Sequence, residues 1–286
     1  MDNKIGTSFR TSQILKKERF KMSKSLGQNF LVDQNTLRKI AEAAELNGEE
    51  LVVEIGPGVG SLTQILTEQA GQVVAVELDQ RLIPILEEQF VQTTNLKIIQ
   101  GDALKLDFVS LLTQFPDYKE VKLVANLPYY ISTPLIMKLL TEKVLWERLV
   151  IMVQKEVAER LTANPGSKEY GQLSVLVQYR VQTDYLFTVP PTVFIPQPKV
   201  NSAVIRLIPW KVPPVRVKNE ELFFKVVKSA FAQRRKNLRN NLASLQQFGG
   251  DKQEVEKFLT QLGIDPNRRG ETLSLEEFSR IANALN

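Results

Sequence analysis

Apolar positions along the 286-residue chain fall into short runs of two different periods. "ELVVEIG", "QVVAVEL", "LKIIQGD" and "VKLVAN" are nearly continuous β-branched runs of strand length. "SLTQILTEQA", "RLIPILEEQF" and "TPLIMKLLTEK" lie between them and after them, and space their apolar residues three and four apart. Buried strands separated by amphipathic helices predict a parallel sheet covered on both faces. Ahead of the first strand, Asp33 or Asn35 is placed to cap a helix through Leu37, Ile40 and Ala44. After "RLVIMVQ" the pattern changes. "LSVLVQYRV", "TDYLFTV" and "SAVIRLI" read as strands without intervening helices, which predicts an antiparallel edge. The proline-rich "PWKVPPV" reads as a linker, and "ELFFKVVKSAFAQRRKNLRNNLASL", "QEVEKFLTQLG" and "SLEEFSRIANAL" as helices beyond it. The expectation is an α/β domain over 1–210 and a small all-α domain over 211–286.

Composition narrows the chemistry. The chain has no cysteine and no histidine, which excludes disulfides, thiolate nucleophiles and the commonest metal ligands and general base. No metal site is expected, so any reaction must run on carboxylates, amides, hydroxyls, backbone groups or a borrowed cofactor. The first residues lack the apolar core of a secretory signal, and no window of about 18 apolar residues offers a membrane span, so a soluble, cytoplasmic protein is expected. Charge is unevenly placed. Residues 1–28 carry 7 Lys and Arg against 2 Asp and Glu, and residues 215–286 carry 13 against 9, while the middle is slightly acidic. Basic ends on such a body imply a polyanion held at the periphery.

The strand ends carry the polar residues. "VVEIGPGVGSLT" places Gly56, Gly58 and Gly60 between a strand and a helix, where backbone can approach a ligand and helix-start N–H groups are free. Glycines two apart differ from the G-x-G-x-x-G of dinucleotide folds, which disfavours a nicotinamide dehydrogenase; a plain strand-to-helix turn stays open on this motif alone. Glu77 ends the second strand, where an acidic residue reaches ribose hydroxyls, Asp102 ends the third, placed for an adenine edge, and Asn126 ends the fourth. Gly, Glu, Asp and Asn at successive strand ends specify a nucleoside cofactor.

"VEIGPGVGSLT", "VAVELDQRL", "GDAL" and "NLPYYIST" resemble the motifs of S-adenosylmethionine-dependent methyltransferases acting on exocyclic amines of nucleic-acid bases. "SKSLGQNFLVD", "VFIPQPKVNSAV" and "FAQRRKNLRNNL" narrow the resemblance to the KsgA-type ribosomal RNA adenine dimethyltransferases, over nearly the whole chain from Ser25. The resemblance implies a Rossmann-like class I methyltransferase sheet, S-adenosyl-L-methionine as cofactor, and dimethylation of N6 of two adjacent adenines near the 3′ end of small-subunit ribosomal RNA. It implies action on the immature small subunit, by a monomer. The amine's lone pair is delocalised into the ring, so two acceptors on its protons are needed. Asn126 and the carbonyl of Leu127 are the candidates, with Pro128 holding the turn. Tyr129 would stack on the extruded base, and Phe194 matches the family's partner on its other face, while Tyr130 reads as structural. Asn29 and Leu31 match contact positions of the segment that closes over the cofactor.

"AFAQRRKNLRNNL" places Arg234, Arg235, Lys236 and Arg239 within what reads as two helical turns, and the N-terminal Lys16, Lys17, Arg19, Lys21 and Lys24 add to the basic surface. Phosphate binding is expected at both, with Arg268 and Arg269 adding to it. Two relatives of the fold stay open at this point. One is a methyltransferase of large-subunit ribosomal RNA that confers antibiotic resistance, and the other a non-catalytic ribosome assembly factor.

Overall fold

The computed structural model of the chain describes residues 4–18, 20, 22–23 and 26–286. Arg19, Lys21 and Lys24 of the basic N-terminal run, and Ser25, lie outside the described residues. The first elements are α1 (Ser8–Lys17), β1 (Phe30–Leu31) and α2 (Gln34–Ala43). They are followed by β2 (Leu51–Ile55), α3 (Ser61–Gln69), β3 (Gln72–Glu77), α4 (Ile83–Gln89), β4 (Leu96–Gln100), α5 (Phe108–Leu112), β5 (Val121–Asn126), α6 (Ser132–Thr141) and β6 (Trp146–Gln154). α7 (Lys155–Thr162) and α8 (Gln172–Gln178) come next, then β7 (Val181–Val189), β8 (Phe194–Ile195) and β9 (Ser202–Pro209). α9 (Glu220–Ala230), α10 (Leu238–Leu242), α11 (Lys252–Gln261) and α12 (Leu275–Ala284) complete the chain. Helices α1, α5 and α7 were not anticipated.

Two compact units result. One comprises the chain up to Ala158 with Thr183–Pro209, the other Glu159–Gln182 with Trp210–Asn286. The expected boundary near 210 is therefore one of three crossings, and residues 159–182, assigned by sequence to the first domain, join the helical unit.

In the first unit a seven-stranded sheet runs β4-β3-β2-β5-β6-β9-β7. Strands β4, β3, β2, β5 and β6 are parallel and β9 is antiparallel to β6, so the α/β class and the antiparallel edge are both present. β2 is buried at every position, as a central strand covered on both faces must be. The side chain of Asp33 accepts the Thr36 N–H at 2.8 Å and starts α2, whose Leu37 and Ile40 are buried with Leu62 and Leu66 of α3 against Val52 and Val124. Each such side chain contributes about 1.5–3 kcal/mol. A separate cluster joins Ile5, Ile14 and Leu15 to Val59 and to Leu82, Ile85 and Leu86 around α4.

In the helical unit two sequence readings are corrected. "LSVLVQYRV", read as a strand, contains helix α8: Val175 and Tyr179 enter the apolar cluster of this unit, and Gln178 donates to the carbonyls of Leu161 and Ala163. The long helix expected through "AFAQRRKNL" breaks after Ala230, and α10 restarts at Leu238, where the Asn237 side chain accepts the Asn240 N–H. Arg234, Arg235 and Lys236 accordingly occupy a turn, not a helix face.

Candidate active site

The carboxyl ends of β2, β3, β4 and β5 open onto one cleft. Asn29, Leu31, Gly56, Gly58, Glu77, Asp102, Asn126, Leu127, Pro128 and Tyr129 all line it, so ten of the residues expected from sequence meet at one place. The backbone after β2 passes Gly58 at φ +62° and Gly60 at +91°, conformations costly for any residue with a Cβ. A Cβ at Gly58 would also lie 2.9 Å from ring carbons of Phe30, and one at Gly60 2.5 Å from the Phe90 ring. α3 then begins without a side-chain cap, so its first N–H groups have no partner within the helix.

Glu77 is buried at the end of β3. Its Oε2 accepts the Gly58 N–H at 3.1 Å and its Oε1 the Asp79 N–H at 2.8 Å, which ties the carboxyl to the glycine turn. Burial raises its pKa, and the backbone donors act against that rise. Asp102 is more exposed; its Oδ1 accepts the Leu104 N–H at 3.0 Å and Lys105 approaches to 3.9 Å. A third carboxyl, Glu54, was missed by the sequence reading. It lines the same cleft from β2, is 1% exposed, and its Oε2 has no hydrogen-bond partner among the described residues. Burial pushes it up to about 8; the nearby Thr63 hydroxyl, which completes no hydrogen bond among the described residues, opposes this, and the charge of Glu77 adds to the rise. The available signal was an acidic residue inside the otherwise apolar run "LVVEI".

At the end of β5 the Asn126 Nδ2 donates to the carbonyl of Asn29 at 3.3 Å. That bond fixes the amide and leaves Oδ1 without a donor among the described residues. Leu127 is buried and its N–H donates to Met152 O at 3.0 Å, continuing the pairing of β5 with β6, while its own carbonyl receives no hydrogen bond from the described residues. Tyr129 is half-buried and shares a 2.6 Å hydrogen bond with Ser202 Oγ; burial raises its hydroxyl pKa. The ring is thus braced at its polar tip by β9. Tyr130, read as structural, is 50% exposed and lines the cleft.

Phe194 does not take the place expected for it. It is 1% exposed and absent from the cleft wall: β8 pairs with β1, setting Phe194 opposite Leu31, and its ring packs in the apolar cluster with Leu37 and Ile40. It backs Leu31 instead of presenting a face to a base. Residues 26–31 form another wall of the cleft. Gln28 holds this segment down, since its Nε2 donates to Asp79 Oδ2 at 2.7 Å and its Oε1 accepts the Ser23 N–H at 2.7 Å. Asp79 in turn pairs with Arg81 at 2.6 Å, which keeps its carboxyl below the usual range, and the Arg81 guanidinium lies 4.7 Å from the Phe20 ring centroid.

In the helical unit the four expected phosphate-binding cations divide. Arg234 donates to Lys168 O at 2.7 Å and Arg239 pairs with Glu256 at 2.7 Å, whereas Arg235 and Lys236 are exposed with no side-chain partner among the described residues. Arg268 pairs with Glu277 and Arg269 with Glu271. Lys17 of α1, in the first unit, pairs with Glu88.

The sequence model for ribosomal RNA adenine dimethylases matches residues 19–286. The chain belongs to the ribosomal RNA adenine dimethylase family. Relatives of this dimethylase include ribosomal RNA small subunit methyltransferase A of Geobacillus sp. (strain WCH70), 52% identical over 100% of this chain and 99% of that protein. The protein of the same name from Bacillus mycoides (strain KBAB4) is 50% identical over 98% and 97%. Among solved structures, a dimethyladenosine transferase from Plasmodium falciparum matches with a TM-score of 0.75 at 27% identity, covering 88% of this chain and 95% of that one. The 23S rRNA methyltransferase ErmE matches at 0.70 and 26%, covering 89% and 98%.

Proposed function

We propose that this dimethylase transfers two methyl groups to N6 of each of two adjacent adenines in a loop near the 3′ end of small-subunit ribosomal RNA. Its substrate would be the immature small ribosomal subunit, and it would act as a cytoplasmic monomer coupled to subunit biogenesis. The observation that carries the chemistry is the pinned Asn126 amide, whose Oδ1 and the neighbouring Leu127 carbonyl are both left without donors among the described residues. Accepting hydrogen bonds from both protons of an exocyclic amine, these two oxygens favour a pyramidal nitrogen whose lone pair is withdrawn from conjugation with the ring and becomes nucleophilic. Attack of N6 on the sulfonium methyl carbon would break its C–S bond, the electron pair going to sulfur and S-adenosylhomocysteine leaving, and would make the attacking nitrogen cationic and strongly acidic. That nitrogen then gives its proton to water, so no histidine is required. Tyr129, held by Ser202, offers one aromatic face to the extruded base, worth about 1–3 kcal/mol.

The cleft fits S-adenosylmethionine: the Gly58 position admits no Cβ, and the orphaned oxygen of Glu54 is an acid awaiting a cationic or donor group. When bound, that cofactor supplies the electrophilic methyl group. Glu77 would take the ribose hydroxyls, Asp102 the adenine edge, Gly56 and Gly58 a close approach of backbone, and Asn29 and Leu31 the covering wall. The test is to incubate the protein with labelled S-adenosylmethionine and unmethylated small ribosomal subunits, then digest the RNA to nucleosides. N6,N6-dimethyladenosine is expected, and its absence with folded, cofactor-binding protein would overturn the proposal.

A further inference from the structure

The turn between α9 and α10 presents Arg235 and Lys236 to solvent, and one buried amide holds it. Asn241 is 4% exposed, and its Nδ2 donates to Ala230 O at 2.7 Å, to Gln233 O at 3.2 Å and, at the limit of a hydrogen bond, to Lys236 O at 3.5 Å. Residues 230–236 therefore curl around a single side chain. The backbone of Asn241 is anchored in turn, its carbonyl accepting the Ser229 hydroxyl at 2.7 Å and the Ser244 hydroxyl at 2.8 Å. Just after the turn, the Leu238 and Arg239 N–H groups donate to Arg268 O at 2.7 Å and Pro266 O at 3.1 Å.

No glycine or proline shapes this turn, which is the usual way to bend a chain. The buried Ala230 carbonyl needs a partner, and the amide that serves it also reaches the Gln233 carbonyl, which accepts the Lys236 N–H as well. The amide holds the Ala230 and Gln233 carbonyls and lies 3.5 Å from that of Lys236, so it fixes the backbone leading into the exposed cations. A flexible basic loop loses entropy when it meets a phosphate backbone, whereas a pre-ordered one has already lost it.

We propose that Asn241 is a positioning residue for RNA, holding the turn so that Arg235 and Lys236 reach phosphates together. The proposal rests on reading this turn as an RNA grip, and the experiment separates the two. Full-length variants are measured for binding to unmethylated small ribosomal subunits across a potassium chloride series, and for turnover with labelled S-adenosylmethionine. Arg235→Ala combined with Lys236→Ala tests the grip: affinity is expected to fall about tenfold and the salt slope by about two. Asn241→Leu, which keeps the volume and removes the donors, is expected to raise KM for subunits about tenfold and reduce the salt slope, with kcat unchanged within about twofold. Asn237→Gly loosens the same turn at its exposed end without a buried hole, and is expected to shift both quantities the same way by about threefold. If the double variant binds normally, the grip itself is refuted. If the double variant weakens binding while Asn241→Leu and Asn237→Gly keep the native KM and slope, the positioning role is refuted. Should Asn241→Leu fail to fold, the slope measured for Asn237→Gly decides.

Discussion

Glu54→Gln tests how much free energy is invested in keeping a carboxyl inside the cleft wall. The folded protein holds this group protonated up to about pH 8, whereas the unfolded chain releases the proton near 4.5. The folded pKa is the higher one. Its contribution is therefore fully present below 4.5 and is lost as pH rises toward 8. At 1.36 kcal/mol per unit, the loss between pH 5.5 and 7.5 is about 2.5 kcal/mol. Glutamine has nearly the same shape and does not titrate, so the variant should gain about that much stability on the native protein over this interval, other groups cancelling in the difference. The assay is urea unfolding of cofactor-free protein at both pH values. Trp146, 5% exposed in the first unit, serves as the reporter in a Trp210→Phe background. A cationic ligand in the cleft favours ionised Glu54, so native affinity for S-adenosylmethionine should also rise with pH toward 8 and that of the glutamine variant should not. A stability difference independent of pH between 5.5 and 7.5 would refute the reasoning.

Asn126→Ala should nearly abolish turnover while leaving affinity for S-adenosylmethionine within a few fold; a calorimetric titration showing lost cofactor binding would contradict the assigned role. Tyr129→Phe removes the bond to Ser202 and should cost about 0.5–1.5 kcal/mol in kcat/KM, while Tyr129→Ala removes the ring and should cost about 1–3 kcal/mol more, measured on unmethylated subunits. Gly58→Ala forces φ +62° on alanine and meets Phe30, so equilibrium dialysis should show cofactor affinity reduced at least tenfold, with a lowered Tm.

The central sheet was legible because β2, β3, β4 and β5 are short β-branched runs, and because strand ends in such a sheet converge on a crevice that a sequence can mark with Gly56, Glu77, Asp102 and Asn126. What stayed hidden depended on partners distant in the chain. α8 is β-branched enough to read as a strand, and becomes a helix through packing in the second unit and through Gln178 bonding to carbonyls 15 and 17 residues away. The break between α9 and α10 carries no proline or glycine and follows from a side chain, Asn241, that satisfies the turn from beyond it. The burial of Phe194 follows from pairing of β8 with β1, two-residue strands too short to leave a pattern. Glu54 went unread inside an apolar run, since sequence does not say whether a buried acid has a partner.

The helical unit is drawn from two separate stretches of chain, with β7, β8 and β9 threaded between them. It follows that this unit is no detachable tail. Cutting after Pro209 would strand Tyr170, Val175 and Tyr179 without the α9 and α12 side chains that now bury them, leaving an oily, sticky ridge on the remainder.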